Sequence, residues 1–305
     1  MDLYETINSE TDIVKLKELT LEHLRILYSG VESEAKRGAV YKFILDNVDF
    51  GTDFEYYENP KVSIVIPVKN NFAMSAALLT AIKRDTQNID YEIIIADDNS
   101  TDKIVQIESL FKNVRRIVND TGHDGFIYNM NNAISKARGE YIFSMNNDMI
   151  TLPDYLTELL KVIENDKSIG IAGSKTLNIK CLVRECGVKM LKDGSLNRLG
   201  VDEAIDYMDD KDYIDCDYCS GCAILFRRDV FEKAGGFDIN LAPAYYDDSS
   251  FAFNLKYNFG LKSVCVPKSK IFHFVSRSYK NVDKIKDILE KNKKYFVEKY
   301  GKYIN

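Results

Sequence analysis

The stretch Glu140 to Met149, EYIFSMNNDM, is an apolar strand-like run that ends abruptly in two amides and a carboxylate. On a parallel strand, Asp148 would stand where the chain opens into the crevice at the carboxyl edge of an open α/β sheet, the usual ligand position in such folds. A single Asp after a strand most often caps the next helix, so alone it decides little. Two further acidic points add weight: Ala96-Asp97-Asp98-Asn99-Ser100 at an upstream strand end, and Asp247-Asp248 downstream. Three acidic points on one edge imply a site built around a cation and a phosphate-bearing ligand.

Working outward, the pattern is strand, helix, strand, helix. Val62 to Pro67 is a β-branched run of buried-strand type, followed by a helix over Ala73–Lys83. Tyr91–Ala96 is the next strand, and Thr101–Phe111 a helix that Ser100 or Thr101 can cap. Val114–Val118, Tyr141–Met145 and Ile169–Ala172 are further strands, separated by a helix over Gly125–Arg138 and another opened by Pro153. Such alternation predicts an α/β fold with a parallel, doubly wound sheet and right-handed crossovers. Beyond Ser174 the alternation gives way to short strands and turns such as Lys192-Asp193-Gly194. A last strand closes at Val266-Pro267, and Asp283–Tyr300 reads as a terminal helix.

Residues 1–60 read as a helical extension and linker. Ser9-Glu10-Thr11-Asp12 offers a helix start for Ile13, Leu16, Leu19, Leu24 and Leu27, and a second amphipathic run carries Val40, Phe43, Ile44 and Val48. Packing on the main domain is preferred over packing on a partner.

The chain has 305 residues, 45% hydrophobic and 29% charged, enough for a sizeable globular core. Its longest apolar runs are too short to cross a bilayer, and Met1-Asp2-Leu3-Tyr4-Glu5 lacks the basic and apolar regions of a secretory signal. A cytoplasmic location is expected. A net charge of −6 argues against nucleic acid as a partner. The charge is segregated: Lys268–Lys302 holds eleven Lys or Arg against four acids, and Asp202–Asp217 holds eight acids and one Lys. Solvated faces are the plain expectation for both, with anionic lipid or a protein partner as the alternative for the basic segment. Six cysteines lie at 181, 186, 216, 219, 222 and 265. Cys216-x-x-Cys219-x-x-Cys222 lacks a fourth ligand at metal-site spacing and runs into an apolar strand, so buried free thiols are expected.

No Gly-x-Gly-x-x-Gly follows the first strand, where the chain reads Pro67-Val68-Lys69-Asn70-Asn71, and there is no Walker-type Gly-Lys-Ser/Thr. Bound phosphate would therefore need a metal to carry its charge, and Asp148 is the available hard oxygen ligand.

Taken together, VSIVIPVKN (62–70), YEIIIADDNSTD (91–102), NNAISKARGEYIFSMNNDM (131–149), SGCAILFRRDVFEKAGGFD (220–238), YYDDSSF (245–251) and His273 resemble the family 2 glycosyltransferases of GT-A fold. The likeness is to bacterial enzymes that build O-antigen, capsule and related surface glycans, and it runs from about Lys61 to about Tyr303. It implies a Rossmann-like, mostly parallel sheet flanked by helices, with a nucleotide-binding half over 61–174 and an acceptor and donor-sugar half over 175–305. Pro67 and the residues after it would wall the base of a nucleoside-diphosphate sugar, UDP-linked in the leading reading. Asp98 would recognise that base, with Asp97 beside it in support. Asn147-Asp148 matches the end of the metal-binding acidic motif, so Asp148 would hold Mn²⁺ or Mg²⁺ against the diphosphate, and His273 matches a late His that reaches the metal in some relatives. Asn146 and Asn147 stand where some relatives have carboxylates. Ser220-Gly221 would line the donor sugar. Asp248 would be the general base of a single displacement, which implies inversion; Ser250 stands where relatives commonly carry another Asp.

The implied product is a glycoside on a glycan, lipid-linked or protein acceptor, made in the cytoplasm or at the inner face of the cell membrane. Residues 1–60 or the basic C-terminal segment would then supply a membrane or protein contact. Two other classes stay open at this point. A nucleotidyltransferase would want a Gly-rich loop after the first strand, and a non-catalytic binding or assembly module would explain the reduced Asn-Asn-Asp motif.

Overall fold

The computed structural model describes residues 3–32, 52–178, 180–274 and 282–304. The sheet is organised by β1 (Val62–Val68), a β-branched run with one buried side chain after another, as a central strand requires. It lies between β2 (Tyr91–Asp97) and β4 (Tyr141–Met145), parallel to both, and β3 (Val114–Val118) continues the parallel set beyond β2. The register places Val68 beside Asp97, so the β1 and β2 loops leave the sheet at the same edge.

On the other side the sheet becomes mixed. β11 (Ala223–Arg227) runs antiparallel to both β4 and β6 (Ile169–Leu177), and β12 (Lys262–His273) returns parallel to β6. The interior of the expected parallel, doubly wound sheet is thus interrupted by one reversed strand, and its short peripheral strands are antiparallel too. That reversal brings the start of β11 to the edge where the parallel strands end, since Ala223 pairs with Met145. Three short strands decorate this half: β5 (Met149–Thr151) and β10 (Ile214–Cys216) pair with β12, and β7 (Val183–Glu185) pairs with β6. A separate hairpin, β8 (Val188–Met190) and β9 (Leu196–Arg198), lies outside the main sheet.

The main helices are α3 (Phe72–Asp85), the short α4 (Ile107–Leu110), α5 (Phe126–Ser135), α6 (Tyr155–Asn165), α7 (Arg228–Lys233) and α8 (Asp247–Phe259). α6 buries Tyr155, Leu156, Leu159, Leu160, Val162 and Ile163, the stripe expected of a helix laid on a sheet. The helix expected over Thr101–Phe111 is a 3₁₀ turn followed by α4, and the cap is Asp102, whose carboxylate accepts from the Ile104 amide.

Two strands run further than their sequences suggested. β6 continues through Ser174, Lys175 and Thr176, polar residues that are nevertheless buried. β12 passes Pro267 through an irregularity between Val266 and Lys270, which releases the proline from the ladder and lets pairing resume to Phe272.

At the N-terminus, α1 (Leu3–Ser9) and α2 (Ile13–Glu32) pack on the main body, with Ile7, Leu16 and Leu24 inside the core. Asn8 accepts from the Lys103 amide, and the Lys103 ammonium donates to the Glu10 carbonyl. The second amphipathic run, with Val40, Phe43, Ile44 and Val48, lies outside the described residues. At the other end α9 (Val282–Tyr300) buries Asn292, Phe296 and Tyr300. Among the described residues, no helix is long and apolar enough to cross a membrane.

Candidate active site

Every residue singled out from sequence lies at or beside the carboxyl edge of the sheet. Pro67 pairs with Ala96 near the end of β1, and the loop after it is laced to the β2 loop. The Asn70 carboxamide oxygen accepts from the Thr101 amide at 2.8 Å, the Asn70 amide donates to Ser100 Oγ at 2.7 Å, and the Phe72 amide donates to Asp102 at 3.0 Å. Asn70 and Asn71 both take positive φ, a conformation asparagine tolerates better than most residues.

Asp97 and Asp98 divide the work. Asp97 is fully buried, paired with the Arg116 guanidinium at 2.6 Å, and accepts from the Ser100 amide at 2.8 Å. It holds the loop and has no open face. Asp98 faces the crevice wall, accepting from Asn119 Nδ2 at 2.8 Å, the Gly125 amide at 3.1 Å and Lys69 Nζ at 3.3 Å. Gly125 has φ +112, and a Cβ there would lie 2.5 Å from Pro243 Cβ, so only glycine lets the 242–246 loop approach this wall.

Asn146-Asn147-Asp148 turns the chain from β4 into β5. The Asn146 amide donates to the Cys222 carbonyl at 3.0 Å and Asn147 Nδ2 to Ser75 Oγ at 3.2 Å, which fixes the turn from two sides. β5 sets Met149 opposite His273 on β12, and the Phe274 amide donates to the Asp148 carbonyl at 2.9 Å. This register brings His273 Nε2 to 3.4 Å from Asp148 Oδ1. Both carboxylate oxygens of Asp148 and Nε2 of His273 are buried without a hydrogen-bond partner in the structure. Buried polar atoms rarely stay unpaired unless another group completes them. An Asp oxygen and an imidazole nitrogen facing each other suit a divalent cation. Among the described residues no third His, Cys, Asp or Glu joins them, so the remaining ligands would have to be substrate oxygens and water.

Ser220 and Gly221 enter β11 beside this turn. Glu185, which sequence reading missed, accepts from the Ser220 amide at 3.0 Å and from its hydroxyl at 2.9 Å, and pairs with Arg198 at 3.2 Å. An acid in an irregular segment carried no signal of this role. Gly221 donates its amide to Asp248 Oδ2 at 3.0 Å, and a Cβ on Gly221 would sit 3.3 Å from Asp248 Cβ. Asp248 Oδ1 accepts from the Ser249 amide at 2.7 Å. Asp247 and Asp248 occupy the first turn of α8, where the helix dipole favours negative charge. Burial nevertheless pushes both carboxyls above the usual range, helped at Asp247 by the charge of Asp248 and at Asp248 by that of Glu185. Burial also raises the Cys222 thiol, and the charges of Glu185, Asp148 and Asp248 add to it.

The Gly235-Gly236-Phe237-Asp238 turn seats α8. Phe237 lies 5.5 Å from Phe251 and 5.1 Å from Phe231 between ring centroids, in edge-on contacts. The cysteines are free, and all but Cys181 are buried, as expected for structural thiols. Neither of two surface clefts includes the acidic residues: one is lined by Gly236, Asp238 and Asn254, the other by Asn178, Arg184 and Arg198.

A mixed α/β sheet thus gathers a buried Asp–His pair and a helix-borne Asp at one edge. Residues 63–235 match the sequence profile described as "Glycosyl transferase family 2", and the chain belongs to that family. The chain is 29% identical over 238 residues to the O-antigen biosynthesis protein RfbC of Myxococcus xanthus, covering 72% of this chain and 18% of that protein. It is 26% identical over 243 residues to the GalNAc(5)-diNAcBac-PP-undecaprenol beta-1,3-glucosyltransferase of Campylobacter jejuni, covering 74% of each. The chain thus spans only a minor part of some relatives and most of others. Among solved structures, GalNAc-T7 with UDP, GalNAc and Mn²⁺ aligns at a TM-score of 0.59 and 15% identity, over 73% of this chain and 45% of that one, a likeness of fold.

Proposed function

We propose that the chain transfers a sugar from a nucleoside diphosphate, UDP in the first instance, to a hydroxyl of a glycan, lipid-linked or protein acceptor in bacterial surface-glycan synthesis, with inversion at the anomeric carbon. The observation that carries this reading is the Asp148–His273 pair, whose facing oxygens and nitrogen are buried and unmatched at the sheet edge that also holds Asp248. Asp148 and His273 would hold Mn²⁺ or Mg²⁺, whose charge would offset that developing on the departing diphosphate.

The chain's own residues do the rest. The loop after Pro67 walls the base, and the Asp98 carboxylate meets its imide N–H where the long Lys69 contact of 3.3 Å leaves room to rearrange. Asn147 and the Ser220-Gly221 backbone border the diphosphate and sugar. Asp248, held by the Gly221 and Ser249 amides, takes the proton of the acceptor hydroxyl as that oxygen attacks from the face opposite the diphosphate. One base and one leaving group make a single displacement, the basis for inversion. Reaction at a cytoplasmic site or the inner membrane face accords with a nucleotide-sugar donor.

Calorimetry with UDP, with and without Mn²⁺, tests the cation. Wild type should bind UDP about tenfold more tightly with Mn²⁺, an increment of roughly 1.4 kcal/mol. Asp148→Ala should bind equally under both conditions. Equal affinity of the wild type with and without metal would remove the cation from the reading.

A further inference from the structure

The C-terminal helix lies outside the segment matched to the family, yet it grips the approach to the acidic pair. Asn292 on α9 is completely buried, and its side-chain amide nitrogen donates to the carbonyls of Leu241 at 2.7 Å, Ala244 at 2.9 Å and Tyr245 at 3.0 Å. An amide nitrogen has two hydrogens, so three acceptors share them in a closed, fully used arrangement. The Asn292 oxygen is buried and unpaired, which leaves the donor end as the part of the side chain the fold employs.

What those carbonyls belong to gives the contact its meaning. Tyr245 has φ 76 and Tyr246 φ 63, two aromatic residues in succession in the left-handed region. Bulky residues sit there only when their surroundings hold them, and such strain collects at functional sites. Asp247 and Asp248 follow at once, and the Ser250 amide bonds the Tyr246 carbonyl at 2.9 Å, so the first turn of α8 is laid down on this strained pair. α9 secures it a second way. The Tyr246 ring lies 5.5 Å from that of Phe296 in a tilted contact, and its hydroxyl donates to the Gly194 carbonyl at 3.1 Å. Gly194 in turn packs against Val297, whose Cγ2 lies 2.7 Å from where a Gly194 Cβ would be.

We infer that Asn292 is a positioning residue, which holds the strained Tyr245–Tyr246 turn and so aims the Asp248 carboxylate at the acceptor hydroxyl. The inference rests on Asp248 being the base, and deepens that reading by naming what orients it. Among the described residues, Asn292 bonds none of the nucleotide-loop residues directly, and the turn it holds meets the Asp98 wall through Pro243, against Gly125 and the Ile127 amide.

The test uses the full chain with Asn292→Leu, which keeps the shape and removes the donors, and Asn292→Ser, a smaller residue that retains one donor. UDP affinity is measured with Mn²⁺, turnover is read as sugar transfer or donor hydrolysis, and amide hydrogen exchange is followed over residues 241–250. In Asn292→Leu, UDP affinity should stay within about twofold of wild type. Turnover should fall about tenfold to a hundredfold, the usual consequence of displacing a reacting group by an ångström or so. Exchange of the Ser249 and Ser250 amides should accelerate, and Asn292→Ser should fall between the two proteins in both respects. Unchanged turnover and exchange would overturn the inference, and so would UDP affinity falling in step with turnover, the mark of general loss of structure. If wild type itself neither binds UDP nor turns over any nucleotide sugar, the enzymatic reading fails. The exchange comparison still decides whether Asn292 holds the turn.

Discussion

Asp248 lives under opposed influences. Two backbone amides and the start of a helix favour its charge, while burial and the neighbouring Glu185 favour the neutral acid, and the latter prevail. A base acts only when deprotonated, so with Asp248 as the proposed base turnover should be lost as pH falls, earlier than an ordinary carboxylate near pH 4 would lose it. Because Asp247 and Asp248 interact, the acid limb belongs to the pair. Asp248→Asn should lower turnover by a factor of about a hundred to ten thousand and leave UDP affinity near wild type. Turnover equal to wild type in a pH–rate series would dismiss it as the base. At this scale the sequence was informative but coarse. It set the Asp97-Asp98, Asp148 and Asp247-Asp248 points on one edge, but only the family resemblance added His273 and set Asp98 apart from a supporting Asp97. Nothing in Ala-Asp-Asp-Asn by itself distinguishes the buried partner of Arg116 from the carboxylate at the crevice wall. That division depends on strand alternation meeting a distant arginine. Glu185 was invisible for the same reason, since its partners Ser220 and Arg198 are brought to it by a hairpin without regular pattern.

Among the elements, those with one clear period were legible and those with a local exception were not. β1, β2 and β4 are mostly apolar and were placed to within a residue or two. β12 was cut short at Pro267, because proline argues against a strand unless an irregularity removes it from the ladder. The reversed β11 had no signature either, since an apolar run has no direction. The N-terminal hairpin was expected to pack on the main domain in preference to a partner, and α2 buries Leu16 and Leu24 almost completely against it. Leu16→Ala should therefore destabilise the whole protein by about 2–4 kcal/mol. UDP affinity, measured below the transition, should not change. A melting curve identical to wild type would show that α2 is only appended.

Over the whole molecule, the two charged tracts that looked like separate solvated faces are partly joined. The acidic 202–217 segment lies against lysines of β6 and β12: Asp209 meets Lys175 at 2.6 Å and also Lys270, and Asp212 meets Lys268 at 3.3 Å. Lys175 is fully buried, and its ammonium is satisfied by Asp209 and the Tyr207 carbonyl. Burial tends to raise the Asp209 carboxyl, but its hydrogen bonds to Lys175 and Lys270 outweigh that and hold it below the usual value. The stability this gives is present above the unfolded pKa near 4 and disappears as pH falls through the lower folded value. Asp209→Asn should lower the melting temperature at pH 7 and flatten its decline below about pH 4; parallel curves for the two proteins would refute the linkage.

The pairing of β5 with β12 also sets an order of events during synthesis. Asp148 is made well before its partners: His273 ends β12, the last strand among the described residues, and Asp248 comes only shortly before it. A nascent chain that has emerged as far as residue 235 contains the whole family-matched segment and still has neither partner in place. Long-range strand pairings of this kind form slowly and late. On the proposed reading, the Asp148–His273 cation site is therefore assembled only after β12 has been made and paired.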